Sequence, residues 1–289
     1  MTKDKLPKKK EEEEQQTNDL KHYEQKFSYL YPTLNNKEFN NIIAKKKEFN
    51  DTKYDGTIYT NVQQRADELA KADFELQPHQ LFIKNFLSIQ TPYSSLLLYH
   101  GLGSGKTCSA IGVCEEMRDY MKQTGKINKI FIVASSNVQK NFKLQLFDEN
   151  KLKFDEGIWK NETCLGKKFL KEIDPMNMFK EDNKQIIITK IDELIKKNYK
   201  FLGYIQFANI IESIIKGKID TENDDEKKQR LQKVFNNKLI VIDEIHNIRK
   251  TDDNGKENRK VADLLDKLVD AALNMRLLFL SIIYYQYML

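Results

Sequence analysis

The stretch Gly101-Leu102-Gly103-Ser104-Gly105-Lys106-Thr107 decides how this chain is read. It follows the apolar run Ser95 to Tyr99 and precedes a helix-like segment starting at Cys108, so its context is a strand, a glycine-rich loop and a helix N-terminus. Glycines let backbone N–H groups close around phosphate oxygens without side-chain obstruction, and the aligned peptide dipoles of the helix add positive potential at the same point. Such a loop is a nucleotide phosphate cradle, lined here by Gly101, Gly103, Ser104 and Gly105. In it Lys106 bridges the β- and γ-phosphates of ATP, and the Thr107 hydroxyl ligates the Mg²⁺ those phosphates carry. A flexible Gly/Ser turn would not require the Lys-Thr pair or the strand-before, helix-after context.

A second motif far along the chain completes the pattern. Leu239-Ile240-Val241-Ile242 reads as a fully buried parallel strand running directly into Asp243-Glu244-Ile245-His246. A lone carboxylate at a strand end is commonly just meeting solvent. Two of them, downstream of a phosphate loop, have a chemical use: Asp243 holds Mg²⁺ through water, and Glu244 orients or polarises the water that attacks the γ-phosphate.

The loop lacks the first glycine of the longer G-x-x-x-x-G-K-[ST] pattern, since His100 stands there, and the carboxylate strand continues as D-E-I-H. A short G-x-G-K-T loop paired with a DExH box resembles superfamily 2 helicases and translocases. Smaller matches fall in that family's order. Gln77-Pro78-His79-Gln80 is similar to the element that reads adenine, which assigns that role to Gln80. Ser135-Ser136-Asn137, after Ile130 to Ala134, sits where the family grips a nucleic-acid phosphate. Ile186 to Thr189, Phe201 to Tyr204 and Phe207 to Asn209 resemble the next motifs, and Arg276 to Ser281 resembles the start of the strand that normally ends in S-A-T or S-G-S. The V-I-D-E-I-H-N-I and M-R-L-L-x-L-S stretches narrow the resemblance to helicases of large DNA viruses, the group around the poxvirus early transcription factor small subunit.

The resemblance implies an α/β fold, a RecA-like lobe whose parallel sheet is covered by helices, with DNA or RNA as partner and a link to viral transcription in the host cytoplasm or virion. In the family pattern His246 couples nucleotide state to the nucleic-acid site, although a histidine at the end of a buried strand can also be merely structural. After Ser281 the family's small-polar turn is replaced by Ile282-Ile283-Tyr284-Tyr285-Gln286-Tyr287-Met288-Leu289. Too few residues follow Asp243 for a second lobe of on the order of 100–150 residues. The expectation is a truncated or frameshifted copy of a longer helicase that lacks the second motor lobe and its γ-phosphate arginines, or one piece of a split gene with that lobe separately encoded. Either the chain is part of an ATP-driven nucleic-acid motor, or it is a nucleotide-binding subunit or remnant without useful turnover.

Strands are expected at Ser95 to Tyr99, Lys129 to Ala134, Gln185 to Thr189, Lys238 to Ile242 and Arg276 to Leu280, alternating with amphipathic helices. Ligands of such sheets sit beyond the C-terminal strand ends, where the loop, Ser135, Asp243 and Ser281 all fall. The lobe spans residues 74–281. Residues 1–20 form a charged low-complexity tail, disordered or serving as a partner-binding or localisation arm. Residues 21–73 form a helical N-terminal extension whose aromatics (Phe27, Tyr29, Tyr31, Phe39, Phe49, Tyr54, Tyr59) pack on the lobe, stack bases or bind another subunit. Residues 282–289 are the divergent end. Lys216 to Lys233 reads as a solvated insertion, a surface loop or exposed helix.

Composition constrains less. The 289 residues are 40% hydrophobic and 31% charged, enough for one core with polar appendages. A net charge of +5 from 48 basic and 43 acidic residues is weak evidence for nucleic acid. Cys108, Cys114 and Cys164 are odd in number and show no C-x-x-C spacing, so neither a disulfide framework nor a zinc site is expected, and a reduced compartment is the simplest reading. The longest apolar run, near Leu277 to Ile283, is short of the roughly 20 residues of a membrane span, and the charged N-terminus has no signal-peptide core.

Overall fold

The computed structural model describes residues 30–71, 74–101, 103–125, 129–217, 223–248 and 255–282. Its centre is a five-stranded sheet built from β1 (Ser95–His100), β2 (Ile130–Val133), β5 (Tyr199–Leu202), β6 (Leu239–Ile242) and β7 (Arg276–Ile282). The spatial order is β1-β7-β6-β2-β5, and every pairing is parallel. Parallel neighbours need long crossovers, and here helices supply them, so both faces of the sheet become dry and the strands read as continuous apolar runs.

On one side lie α4 (Pro78–Phe86), α5 (Lys106–Gln123), α6 (Ser136–Leu146) and α8 (Lys184–Asn198); on the other lie α9 (Tyr204–Lys216), α10 (Asp224–Phe235) and α11 (Gly255–Ala271). The period of two along each strand divides its side chains between the two layers. Ile130, Ile132, Leu239, Val241, Leu278 and Leu280 pack into a core with Ile83, Ile111, Phe142, Ile187 and Ile191. Phe131, Val133, Ile240, Ile242 and Leu277 pack into a second core with Phe207, Ile211, Phe235, Leu264 and Leu268. An α/β lobe with a parallel sheet between helices is the architecture expected from the motif order.

The N-terminal extension contributes α1 (Phe39–Lys45), α2 (Lys47–Asn50) and α3 (Val62–Lys71). Its aromatics divide. Phe49 is 2% exposed and lies 5.0 Å from Phe82 of α4, and Tyr31 and Phe39 pack edge-on against Tyr93, which stacks on Phe86. Tyr93 donates to the Pro32 carbonyl and Asn85 donates to the Glu48 carbonyl, fastening the extension to the lobe. Tyr54 and Tyr59 are exposed instead. Phe27, Tyr29 and the 1–20 tail lie outside the described residues.

Three sequence expectations are corrected. Gln185 to Thr189 is not a strand: it lies in α8, where Ile187, Ile191 and Ile195 recur every four residues and are buried while Ile186 is 45% exposed. That stripe is a helical period, and the sheet position is filled by Tyr199–Leu202, pairing with β2. The insertion from Lys216 to Lys233 is not wholly solvated, because α10 buries Leu231 and Phe235 in the second core; Asn223 caps it by accepting from the Glu226 N–H. Residues 218–222 of that stretch lie outside the described residues. Finally, Cys108 and Cys164, 56 positions apart with Cα atoms 5.3 Å apart, are joined as a disulfide, which no local cysteine spacing signals. Cys114 stays a buried free thiol.

An antiparallel hairpin also goes unannounced: β3 (Leu152–Asp155) and β4 (Ile158–Asn161), with Glu156 and Gly157 both at positive φ in the turn and Phe154 directly opposite Trp159. Glu156 is a weak type I′ residue, which hides the turn in the sequence. After the hairpin comes α7 (Lys168–Ile173). It seals a buried ionic cluster in which Arg118, 1% exposed, bonds Glu115 and Glu172, and Tyr199 donates to Glu115 at 2.5 Å.

Candidate functional site

Because β1, β2, β6 and β7 are parallel, the residues that leave their C-terminal ends gather on one rim. From β1 the chain passes through the glycine loop into α5, an 18-residue helix. Gly103 and Gly105 have φ of +78° and +75°, the left-handed region in which a Cβ is strained. At Gly105 space is lacking too: an added Cβ would stand 2.4 Å from the Gln80 Nε2. Gly105 is the N-cap of α5, so the first free N–H groups of that helix face the loop.

Lys106 lies folded along the loop, its Nζ donating at 2.9 Å to both the His100 and the Gly101 carbonyls. Ser104 Oγ donates to the Gly101 carbonyl at 3.0 Å. Burial, with His79 and Lys106 close by, pushes the His100 imidazole below its ordinary pKa. Thr107, on the first turn of α5, is half-buried beside Lys106. Gln80 is 4% exposed and both ends of its amide are engaged: Nε2 donates to the Gly105 carbonyl at 3.2 Å and Oε1 accepts from the Gln77 N–H at 2.9 Å. In this arrangement Gln80 braces the loop backbone.

Asp243 directly follows β6 and is 8% exposed, with one carboxylate oxygen taking up the Glu244 N–H at 2.8 Å. Burial raises its pKa above the ordinary carboxylate value, while the Glu244 N–H, Lys106 and His246 pull it back. The charge of Lys106 lowers the pKa of both Asp243 and Glu244, an effect smaller than that of burial. Glu244 has φ +52°, an uncommon conformation that turns the chain sharply at the strand end. Its pKa is raised as well, by burial first and the Asp243 charge second. His246 Nδ1 lies 3.2 Å from Glu244 Oε2 and 3.1 Å from Ser281 Oγ, bridging the carboxylate turn and β7.

Ser135, Ser136 and Asn137 emerge from β2 on the same rim and are exposed at the start of α6. Gln139 of that helix donates to the Ala134 carbonyl at 2.8 Å and steadies the turn. Tyr204 has a place in the site that its sequence position alone does not give: its hydroxyl donates to the Asp243 carbonyl at 2.7 Å, from the first turn of α9. Burial raises the Tyr204 pKa, so it remains a donor at neutral pH. From sequence, the motif resemblance of Phe201 to Tyr204 marks the stretch but not the carbonyl that Tyr204 holds.

Among the described residues no cluster of three or more His, Cys, Asp or Glu side chains forms a metal cage, and no helix is long and apolar enough to cross a membrane.

Comparison with known proteins agrees with the motif order. Residues 73–277, more than half of the chain, match the family described as "Type III restriction enzyme, res subunit". The chain is 24% identical over 278 residues to a "putative ATP-dependent RNA helicase" of Acanthamoeba polyphaga mimivirus, covering 88% of this chain and 22% of that protein. It is 27% identical over 175 residues to a second mimivirus protein of the same description, covering 61% of this chain and 25% of the relative. A "putative helicase" of Invertebrate iridescent virus 3 is 26% identical over 192 residues, 64% of this chain and 16% of the relative. The chain thus spans about a quarter or less of the length of these relatives. With a glycine loop and a carboxylate turn on one rim of a parallel sheet, the chain belongs to the Type III restriction enzyme res-subunit family of helicase-like proteins.

Proposed function

We propose that this chain is the ATP-binding lobe of a nucleic-acid-dependent, helicase-type ATPase of a large DNA virus, from the DExH-box branch associated with viral transcription. The observation that carries the reading is that the glycine loop with Lys106, which leaves β1, and the Asp243-Glu244 pair, which leaves β6, stand on one rim of a parallel sheet. The residues fit a magnesium-bound triphosphate: Gly105 tolerates no Cβ, Lys106 reaches across the loop, and Asp243 is a buried carboxylate already oriented by a backbone N–H. In this reading the loop from Gly101 to Thr107 cradles the phosphates, with Lys106 on their charge. Thr107 and Asp243 hold Mg²⁺, which supplies charge neutralisation on the transferring phosphoryl group.

Glu244 then orients and polarises the attacking water. His246, held between Glu244 and Ser281, couples this chemistry to the neighbouring strand, and Ser135, Ser136 and Asn137 offer an exposed polar turn to a nucleic-acid phosphate. DNA and RNA both suit that turn. Arginines completing the γ-phosphate site come from a second lobe, elsewhere in a longer polypeptide or separately encoded. The second reading is a nucleotide-binding subunit without useful turnover.

Steady-state ATPase measured with and without DNA or RNA, beside Lys106→Ala, tests the proposal. Nucleic-acid-stimulated turnover lost in Lys106→Ala supports the motor; Mg-ATP binding without stimulated turnover supports the subunit. Unchanged ATP affinity in Lys106→Ala defeats both.

A further inference from the structure

The N-terminal extension reaches the glycine loop through a two-link chain. His79, the second residue of α4, places Nε2 3.0 Å from the Ser104 carbonyl and Nδ1 2.6 Å from the Tyr54 hydroxyl. A carbonyl can only accept, so Nε2 carries the proton; in the neutral ring Nδ1 is then an acceptor, and the tyrosine O–H fills it. One tautomer satisfies both bonds. Tyr54 is 63% exposed and its ring lies nearly parallel to the imidazole, 19° between planes. It is delivered there by Phe49, buried against Phe82 one turn along α4 from His79, followed by a turn in which Asp55 accepts from the Thr57 N–H and Gly56 takes φ +79°.

The consequence lies in the peptide plane. A trans peptide points its C=O and the next N–H in opposite directions, so holding the Ser104 carbonyl against α4 turns the Gly105 N–H away from that helix. With Gln80 gripping the next carbonyl, two successive peptides of a loop containing two left-handed glycines are set by adjacent α4 residues. Such a loop would otherwise spend binding free energy on becoming ordered.

We propose that His79 and Tyr54 are positioning residues of the nucleotide site: the extension, acting through Tyr54, fixes the His79 tautomer, and His79 fixes the loop peptide that presents its N–H to phosphate. This rests on the phosphate-loop reading above. The full chain is titrated with a fluorescent N-methylanthraniloyl derivative of ATP in Mg²⁺, with ¹⁵N NMR of the imidazoles in parallel. His79→Leu weakens binding about fivefold to tenfold, and Tyr54→Phe about threefold, without lowering the nucleotide-free melting temperature by more than a degree or two. His79→Gln, whose Nε2 can donate to the Ser104 carbonyl in place of the imidazole N–H, restores most of the affinity, which a packing role would not predict. The wild-type His79 spectrum shows Nε2 protonated and Nδ1 bare, and Tyr54→Phe shifts it toward a tautomer mixture. If Lys106→Ala abolishes binding while His79→Leu and Tyr54→Phe bind like wild type, the positioning role is overturned and the phosphate loop stands. If Lys106→Ala also binds like wild type, both are wrong.

Discussion

Replacing Gly105 by alanine separates a phosphate loop held by its neighbours from one that is merely glycine-rich. The backbone there has φ +75°, which costs an L-residue about 1–2 kcal/mol. The new methyl also meets Gln80 Nε2 at 2.4 Å. Gln80 is a flexible side chain and can swing aside, but only by giving up its bonds to the Gly105 carbonyl and the Gln77 N–H, each worth about 1 kcal/mol. Alanine also restricts the unfolded chain, returning roughly 0.4–1 kcal/mol. The net loss is about 2–3 kcal/mol of folding stability, read by urea denaturation, together with at least a tenfold loss of Mg-ATP affinity. Adding Gln80→Ala removes the clash and leaves only the dihedral strain, so the double mutant is more stable than the two single losses summed, by about 1–2 kcal/mol. Strict additivity, or a Gly105→Ala protein within 0.5 kcal/mol of wild type with normal nucleotide affinity, refutes the reasoning.

Other perturbations test the rim and the fold. Asp243 and Glu244 both titrate above their ordinary values because they are buried, so their contribution to stability is present below the unfolded pKa and is lost as pH rises through the folded one. Asp243→Asn therefore abolishes hydrolysis yet melts a few degrees above wild type at neutral pH, and the gap closes toward pH ~4 in a pH series of thermal scans. Tyr204→Phe removes the bond to the Asp243 carbonyl and costs about 0.5–1.5 kcal/mol in denaturation, with a larger fractional loss in kcat than in ATP affinity. In α8, Ile186→Glu stays within about 0.5 kcal/mol of wild type, whereas Ile191→Ala, at a side chain with no exposure, costs about 2–4 kcal/mol; comparable losses at both would contradict the helix.

Where chemistry and folding ask the same residue for the same thing, the sequence is legible. Val241-Ile242-Asp243 must be a strand end because four apolar residues with no polar face need two dry layers and the carboxylate needs an exit. Gly103 and Gly105 are glycines both for the turn and for the phosphate. Ile186-Ile187-Ile188-Thr189 has no such double demand. Its β-branched composition favours a strand, and only the continuation through Ile191, Leu194 and Ile195 shows the helical stripe that decides the outcome. Propensity lost there to tertiary packing, since β5 already occupies the free edge of β2. The Cys108–Cys164 pairing is illegible for a related reason: it depends on where the segment after β4 lies against α5, a contact with no local pattern.

The same logic explains why the motif resemblance brings Gln80 and Tyr204 to notice without giving the backbone carbonyls they hold. In the proposed reading Lys106, Asp243 and Glu244 are specified by charge against a triphosphate, which is a property of the residue type. Tyr204, His79 and Gln80 act on backbone carbonyls, of Asp243, Ser104 and Gly105 respectively, and any donor of suitable length could do so. What selects them is the angle at which α9 and α4 approach the loop ends. That angle is fixed by distant packing, Phe207 against Phe131 under α9 and Phe49 against Phe82 and Phe86 over α4. Catalytic identity is therefore written in a handful of positions, but the precision of the site is distributed through two hydrophobic contacts. A conservative core change such as Phe207→Leu should accordingly disturb the Asp243 turn before it unfolds the lobe.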